Sequence, residues 1–253
     1  VVSKEYREFG DRENEMKAVC TVSGKDVIYR LSDFDPLYEE AFRMCFYEQD
    51  EEGYYKKFPL SYRYTGKVIR RFEKYAKEMF DQLLYRINVP WEEALECFCR
   101  RVKDSGISWW LTGSCATCIR GIALNPHDVD IIIESRDCAL VEEIFADELI
   151  EPLRDTSGWV TKDFGVIFLK ARIDIASDPS PQIDLPEPGD CGPEAISRLE
   201  VVEWRGYQIK VPPLELQIGV NKRRGRTERA EAIEAFLRKE SLAVSSTKLS
   251  EPG

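Results

Sequence analysis

The sequence predicts an α/β protein of the α+β kind, a mixed sheet with flanking helices behind a mainly helical N-terminal region. Three observations predict it. From about residue 107 onward, short apolar strands alternate with helical patterns. Before that point, residues 65–103 carry two amphipathic helical stripes. Within the alternating part, a strand runs into Gly113-Ser114, and a second apolar strand carries Asp128 and Asp130 one residue apart.

Residues 17–31 read as a β-hairpin, with Ser23-Gly24-Lys25 between two β-rich runs. Asp35-Pro36 opens a helix that places Leu37, Ala41, Cys45 and Phe46 at helical spacing, and 49–53 is an acidic turn. A long helix is expected over 65–85, where Val68, Phe72, Tyr75, Met79 and Leu83 share one face. Pro90 starts another helix, with Glu92-Glu93 at its positive end and Trp91, Leu95, Phe98 and Val102 inward. After Asp104-Ser105-Gly106 come a strand at 107–112, a short helix at 114–121, a strand at 128–134, a helix at 136–149 and one long strand at 164–177. Residues 178–192 are rich in Pro and Gly and read as a loop. Strands at 199–204 and 207–211 turn at Arg205-Gly206, and helices follow at 214–222 and 227–239. The expected organisation is an N-terminal region over 1–90, a core over 91–240 and a polar, disordered tail over 241–253.

Bulk properties narrow the function. The chain has 253 residues, 43% of them hydrophobic, enough for a real core. Thirty-six basic against 46 acidic residues give a net charge of −10, which argues against a long nucleic-acid partner, because such binding depends on Lys and Arg neutralising phosphates. No stretch is long and apolar enough for a membrane span, and residues 1–13 are charged rather than signal-like, so a cytoplasmic protein is expected. Eight cysteines in a chain of this length suit reduced thiols. Cys97-x-Cys99 and Cys115-x-x-Cys118 offer a rival zinc reading, weakened because helical positions two apart face different directions. With a single histidine, His127, two-histidine acid–base schemes are excluded.

On a strand, side chains alternate, so Asp128 and Asp130 point to one side with Val129 on the other. Two carboxylates aimed at one place are costly unless a cation lies between them, and Mg²⁺ is commonly held by one or two carboxylates plus substrate phosphates. The Gly113-Ser114 turn, opening a helix, offers backbone N–H groups to those phosphates. A third carboxylate would complete a two-metal site; Asp174, on an apolar strand, is preferred to Asp184, which prolines at 181 and 186 place in the loop. His127 reads as a polar strand-edge residue. Lys222 to Arg229 read as a solvated helix end or, alternatively, as a source of triphosphate ligands in Lys222 and Arg226.

Gly113-Ser114, Asp128-Val129-Asp130 and the later Ile173-Asp174-Ile175 strand together resemble the signature of the polymerase-β-type nucleotidyltransferase superfamily. The resemblance is to its small members, the aminoglycoside and lincosamide adenylyltransferases and the toxin-type nucleotidyltransferases, and covers roughly residues 91–237. It implies that Gly113 and Ser114 hold the β- and γ-phosphates. It further implies that Asp128 and Asp130 bind or share two Mg²⁺ ions, and that Asp174 binds the catalytic metal and helps deprotonate the acceptor hydroxyl. Cys115-Ala116-Thr117-Cys118 departs from the family, whose members usually follow the turn with an aromatic or small residue and then Arg-Gly; here Arg120-Gly121 would supply that pair late. The implied reaction is transfer of a nucleoside monophosphate, AMP from ATP, to a hydroxyl of a small-molecule acceptor with release of pyrophosphate. Modification of a protein or RNA by a toxin-type enzyme, and a non-catalytic nucleotide-binding module, stand as alternatives.

Overall fold

The structure, a computed structural model, describes residues 16–248. The chain divides into two compact units, Val1–Ser61 and Tyr62–Gly253. In the first, strands β1 (Lys17–Ser23), β2 (Asp26–Ser32), β3 (Glu48–Asp50) and β4 (Gly53–Pro59) form an antiparallel sheet in the order β1-β2-β4-β3. Helix α1 (Glu39–Met44) follows a 3₁₀ turn at Pro36–Tyr38, whose Leu37 N–H is capped by Asp35. The expected hairpin at 17–31 is present. The acidic segment at 49–53 holds the turn between β3 and β4, a second hairpin that was not expected from the sequence. Its β4 strand buries Tyr54, Lys56 and Phe58 on one face, an alternation obscured because one of the three is a lysine.

In the second unit, α2 (Thr65–Leu83) and α3 (Trp91–Val102) fall where the apolar spacing predicts, with Val68, Phe72, Met79, Leu95 and Phe98 buried. The main sheet has the order β5-β6-β9-β8-β7, made of β5 (Trp109–Thr112), β6 (Val129–Ile133), β7 (Leu149–Asp155), β8 (Thr161–Leu169) and β9 (Ala171–Pro179). β6 and β9 are parallel, and every other pairing is antiparallel. The sheet is therefore mixed, as expected.

Two elements differ from the sequence reading. The single strand expected at 164–177 is a hairpin, β8 and β9, closing where Leu169 pairs with Ala171 around Lys170 at φ 68°. No Gly, Pro or Asn marks that turn, so the apolar run reads as continuous. The helix expected over 136–149 is shorter: a 3₁₀ turn at 135–137, then α5 (Cys138–Ile144), after which Leu149 and Ile150 enter β7. Pro152 lies inside β7, and proline argues against a strand except at a sheet edge, which is where β7 runs.

Helix α4 (Gly113–Cys118) follows β5 directly, and α6 (Pro193–Ser197) closes the Pro/Gly-rich segment. β10 (Glu200–Trp204) and β11 (Tyr207–Val211) form a separate ribbon. Helices α7 (Leu214–Arg223) and α8 (Thr227–Lys248) end the described chain. α8 runs past the expected end at 239 into the region expected to be disordered, where Leu242 and Ala243 are good helix formers; residues 249–253 of that tail lie outside the described residues. Trp110, Ile132 and Ala176, cross-strand neighbours on one face, pack with Ala195 of α6 and Leu216 of α7. Asp130 and Asp174 lie two residues earlier on the same strands, hence on that same face.

Candidate active site

Strand register builds the site. Asp130 on β6 pairs with Thr112 on β5 and with Asp174 on β9, so the end of β5, the start of β6 with Asp128 just before it, and the middle of β9 meet in a row. Asp128, Asp130 and Asp174 offer carboxylate oxygens all within 4.8 Å of one another, the only such group of three or more metal-ligating residues among the described residues. The Asp128 and Asp174 side chains are 14% and 18% exposed, enough for a small ligand to reach them.

Gly113 follows Thr112 with φ 65°, and a Cβ there would collide with the Asp130 carboxylate. Both the positive φ and the close approach require glycine. Gln217 of α7 fixes this turn: its Nε2 donates to the Gly113 carbonyl at 2.7 Å, and its Oε1 accepts from Thr117 Oγ1 at 2.9 Å. Ser114 stands half-buried at the start of α4.

The three carboxylates are unequal. Burial raises Asp128, but neighbouring His127, with the charges of Arg172 and Arg226, outweighs it and leaves the carboxyl below its ordinary range. His127 Nδ1 lies 3.0 Å from Asp128 Oδ2, a close ion-pair distance without hydrogen-bond alignment. Asp130 is pushed well up by burial and by the charges of Asp128, Asp174 and Asp190. Asp174 is also raised, by burial first and by Asp128, against the opposing charge of Arg172. Arg172 is 3% exposed, and its Nε donates to Asp174 Oδ1 at 2.5 Å, which orients that carboxylate. Its position two residues before Asp174 on the strand is a signal the sequence contained.

The donor set is all carboxylate oxygen and partly open, and the carboxylates raise one another, Asp128 acting on both Asp130 and Asp174. That chemistry fits a small hard divalent cation such as Mg²⁺. Asp128, Asp130 and Asp174 are the residues that would hold it.

Sequence reasoning missed Asp190. It is buried, and burial raises its carboxyl against the opposing charge of Arg224. Its backbone carbonyl accepts from Thr112 Oγ1 at 2.8 Å, beside the Gly113 turn. The loop that carries it is braced by Asp184, whose two carboxylate oxygens accept from the Gly189 and Glu194 N–H groups at 2.9 and 2.8 Å. Arg223 adds contacts to Glu187 and the Pro188 carbonyl. Asp184 is thus occupied in shaping the loop.

The basic residues divide. Lys222 Nζ lies 2.6 Å from Glu234 on α8 and is 60% exposed. Arg226 is half-buried; burial and the charges of Arg229 and Arg224 lower it, while Asp130 and Asp128 oppose that shift. Arg120 does not serve the turn: it pairs with Glu200 at 2.5 Å and donates to the Pro212 carbonyl at 3.1 Å. Cys115 and Cys118 donate to the Asp128 and Leu124 carbonyls at 3.2 and 3.6 Å, and burial raises both thiols, so they serve as donors within the α4–β6 connection.

No protein-family model matches the chain, and neither does any curated protein. Among solved structures it is similar to a candidate nucleotidyltransferase of Thermotoga maritima, 23% identical with a TM-score of 0.45, over 60% of this chain and 96% of that one. It is also similar to the antibiotic-resistance factor ANT(2'')-Ia, 13% identical with a TM-score of 0.37, over 62% of this chain and 96% of that one. Likeness of this degree assigns no activity, and the chemistry has to come from the carboxylates and their surroundings. No helix is long and apolar enough to cross a membrane among the described residues.

Proposed function

We propose that the protein is a divalent-metal-dependent nucleotidyltransferase that moves a nucleoside monophosphate, AMP from ATP, to a hydroxyl of a small-molecule acceptor. The observation that carries this reading is the row of three carboxylates from neighbouring strands beside a glycine turn that leaves room for one of them. Bound metal would neutralise the charge on the triphosphate and on the leaving pyrophosphate.

Gly113 and Ser114 would present backbone N–H groups to the β- and γ-phosphates. Arg226 and Arg224, whose charges reach the aspartates, would add cationic contacts; Lys222 is directed to Glu234 instead. Arg172 would keep Asp174 ionised and aimed. The acceptor oxygen forms its bond to the α-phosphorus as the bond to the bridging oxygen breaks. Pyrophosphate leaves with that electron pair, and the hydroxyl proton passes to Asp174. Positioning and charge neutralisation supply most of the catalysis in such reactions. A net charge of −10 suits a small, cationic acceptor better than a polyanion.

Incubation with each labelled nucleoside triphosphate, Mg²⁺ and a panel of hydroxyl-bearing acceptors tests the reading, with pyrophosphate release as the readout. Activity in wild type and its loss in the Asp128→Ala/Asp130→Ala double variant are expected. Equal labelling by both proteins would overturn it, and binding of Mg·ATP without turnover across the panel would favour a nucleotide-binding module.

A further inference from the structure

A cavity of about 410 Å³ opens beside the carboxylates, between the α2–α3 connection (Tyr85 to Trp91) and the segment Leu124–Pro126. Its size falls in the range of small-molecule sites. Pro126 leads directly through His127 to Asp128, so one wall of the cavity is the peptide that ends in the metal-ligating group. Tyr85 joins the two walls: its hydroxyl donates to the Asn125 carbonyl at 2.6 Å, and its ring meets the His127 ring edge-on at 5.9 Å. The charges of Arg229 and Arg226 reach Tyr85, and that of Arg226 also reaches Asp128 and Asp130. Carboxylates, arginines and cavity therefore follow one another in space.

We infer that this cavity receives the base and sugar of the nucleotide whose phosphates lie at Asp128, Asp130 and Arg226. The assignment rests on the nucleotidyltransferase reading and adds to it the place of the nucleoside. The lining fits a flat, polar ring. Trp91, itself stacked on Trp204 at 6.3 Å, and Tyr85 supply aromatic surface. Asn88 and Asn125 carry amides able to bond the edge of a purine, the pairing asparagine makes with adenine elsewhere. Glu92 and Glu93 occupy the first turn of α3 behind Trp91, which disfavours placing the phosphates at that end.

Titration calorimetry with Mg²⁺ and either ATP or inorganic tripolyphosphate separates the two halves of the site. Wild type is expected to bind Mg·ATP on the order of tenfold tighter than Mg·tripolyphosphate, the gain a stacked base provides. Val89→Trp, which fills the cavity, and Asn125→Ala, a change at an exposed side chain, are each expected to shrink that ratio while leaving tripolyphosphate affinity unchanged; melting temperature checks that both variants fold. Tripolyphosphate binding with no gain from the nucleoside, or a ratio untouched by Val89→Trp, would overturn the cavity assignment alone. Failure of both ligands to bind would overturn the transfer reading together with it.

Discussion

Strand β9, which carries Asp174 of the candidate site, also helps hold a further aspartate, Asp163 of β8, and the two places behave in opposite ways. Ser177 lies three residues beyond Asp174 on β9, so it points to the opposite face of the sheet. There Asp163 Oδ2 accepts from Ser135 Oγ at 2.5 Å and Ser177 Oγ at 2.6 Å, with Cys138 Sγ at 3.7 Å. Burial would raise that carboxyl, but the two serine hydroxyls outweigh it and hold it below its ordinary range. On the other face, Asp130 and Asp174 confront other carboxylates, and both are raised. One cluster is satisfied by its own donors. The other is left electrostatically incomplete, which is the usual mark of a site arranged for a ligand.

The largest effect expected from this contrast is on turnover. Asp128→Asn or Asp130→Asn should lower nucleotidyl transfer by roughly 10³-fold, the scale on which removal of a preorganised charge-stabilising group acts. Asp163→Asn should leave the rate within a few-fold while costing about 1–3 kcal/mol of stability, since it leaves hydroxyl donors poorly matched. Pyrophosphate release and urea unfolding, measured on the same three variants, check this. Equal rate losses on the two faces would remove the distinction.

A smaller effect is expected on metal-linked stability. A ligand that binds only the folded state stabilises by RT ln(1 + [L]/Kd), so Mg²⁺ at about 100 times its Kd should add about 2.7 kcal/mol. Wild type and Asp163→Asn should both gain, and Asp130→Asn should gain little. Without metal, Asp130→Asn should itself be more stable than wild type by about 0.5–2 kcal/mol, because it relieves repulsion that function retains. Thermal melts with and without Mg²⁺ read both effects; a metal response that survives in Asp130→Asn would place the cation elsewhere.

The contrast also shows what could be read in advance. Asp130 and Asp174 were legible because each interrupts an apolar strand, and Asp128 because it stands at the entry to one, where an unpartnered carboxylate is expensive. Arg172 was equally legible by alternation, since it shares a face with Asp174. Asp190 was not legible: it reaches the site only because Asp184 and Arg223 fold a Pro/Gly-rich loop against Thr112, an arrangement of tertiary contacts without local pattern. The β8–β9 hairpin was hidden by a turn with Lys170 at positive φ, and β7 by the proline that a sheet edge tolerates. Asp163 was not legible either, because its donors Ser135, Cys138 and Ser177 meet it only once the turn after β6, α5 and β9 have assembled around β8.

The smallest effect concerns acid. A carboxyl whose folded pKa lies below its unfolded value of 3.8 contributes stability that is present above that value and lost as pH falls through the folded one. Asp163 therefore gives the wild type a stability component that disappears below about pH 4. Ser177→Ala removes one of the two hydroxyls that depress the carboxyl, so its folded value should move back toward 3.8 and the component should shrink. The variant should be less stable than wild type at pH 6, and the gap should narrow, by a few tenths of a kcal/mol, as pH falls to 3. Urea unfolding of both proteins at several pH values measures the gap. A difference that stays constant with pH would mean that the Ser177 hydroxyl acts through packing alone and that Asp163 owes its depression to Ser135.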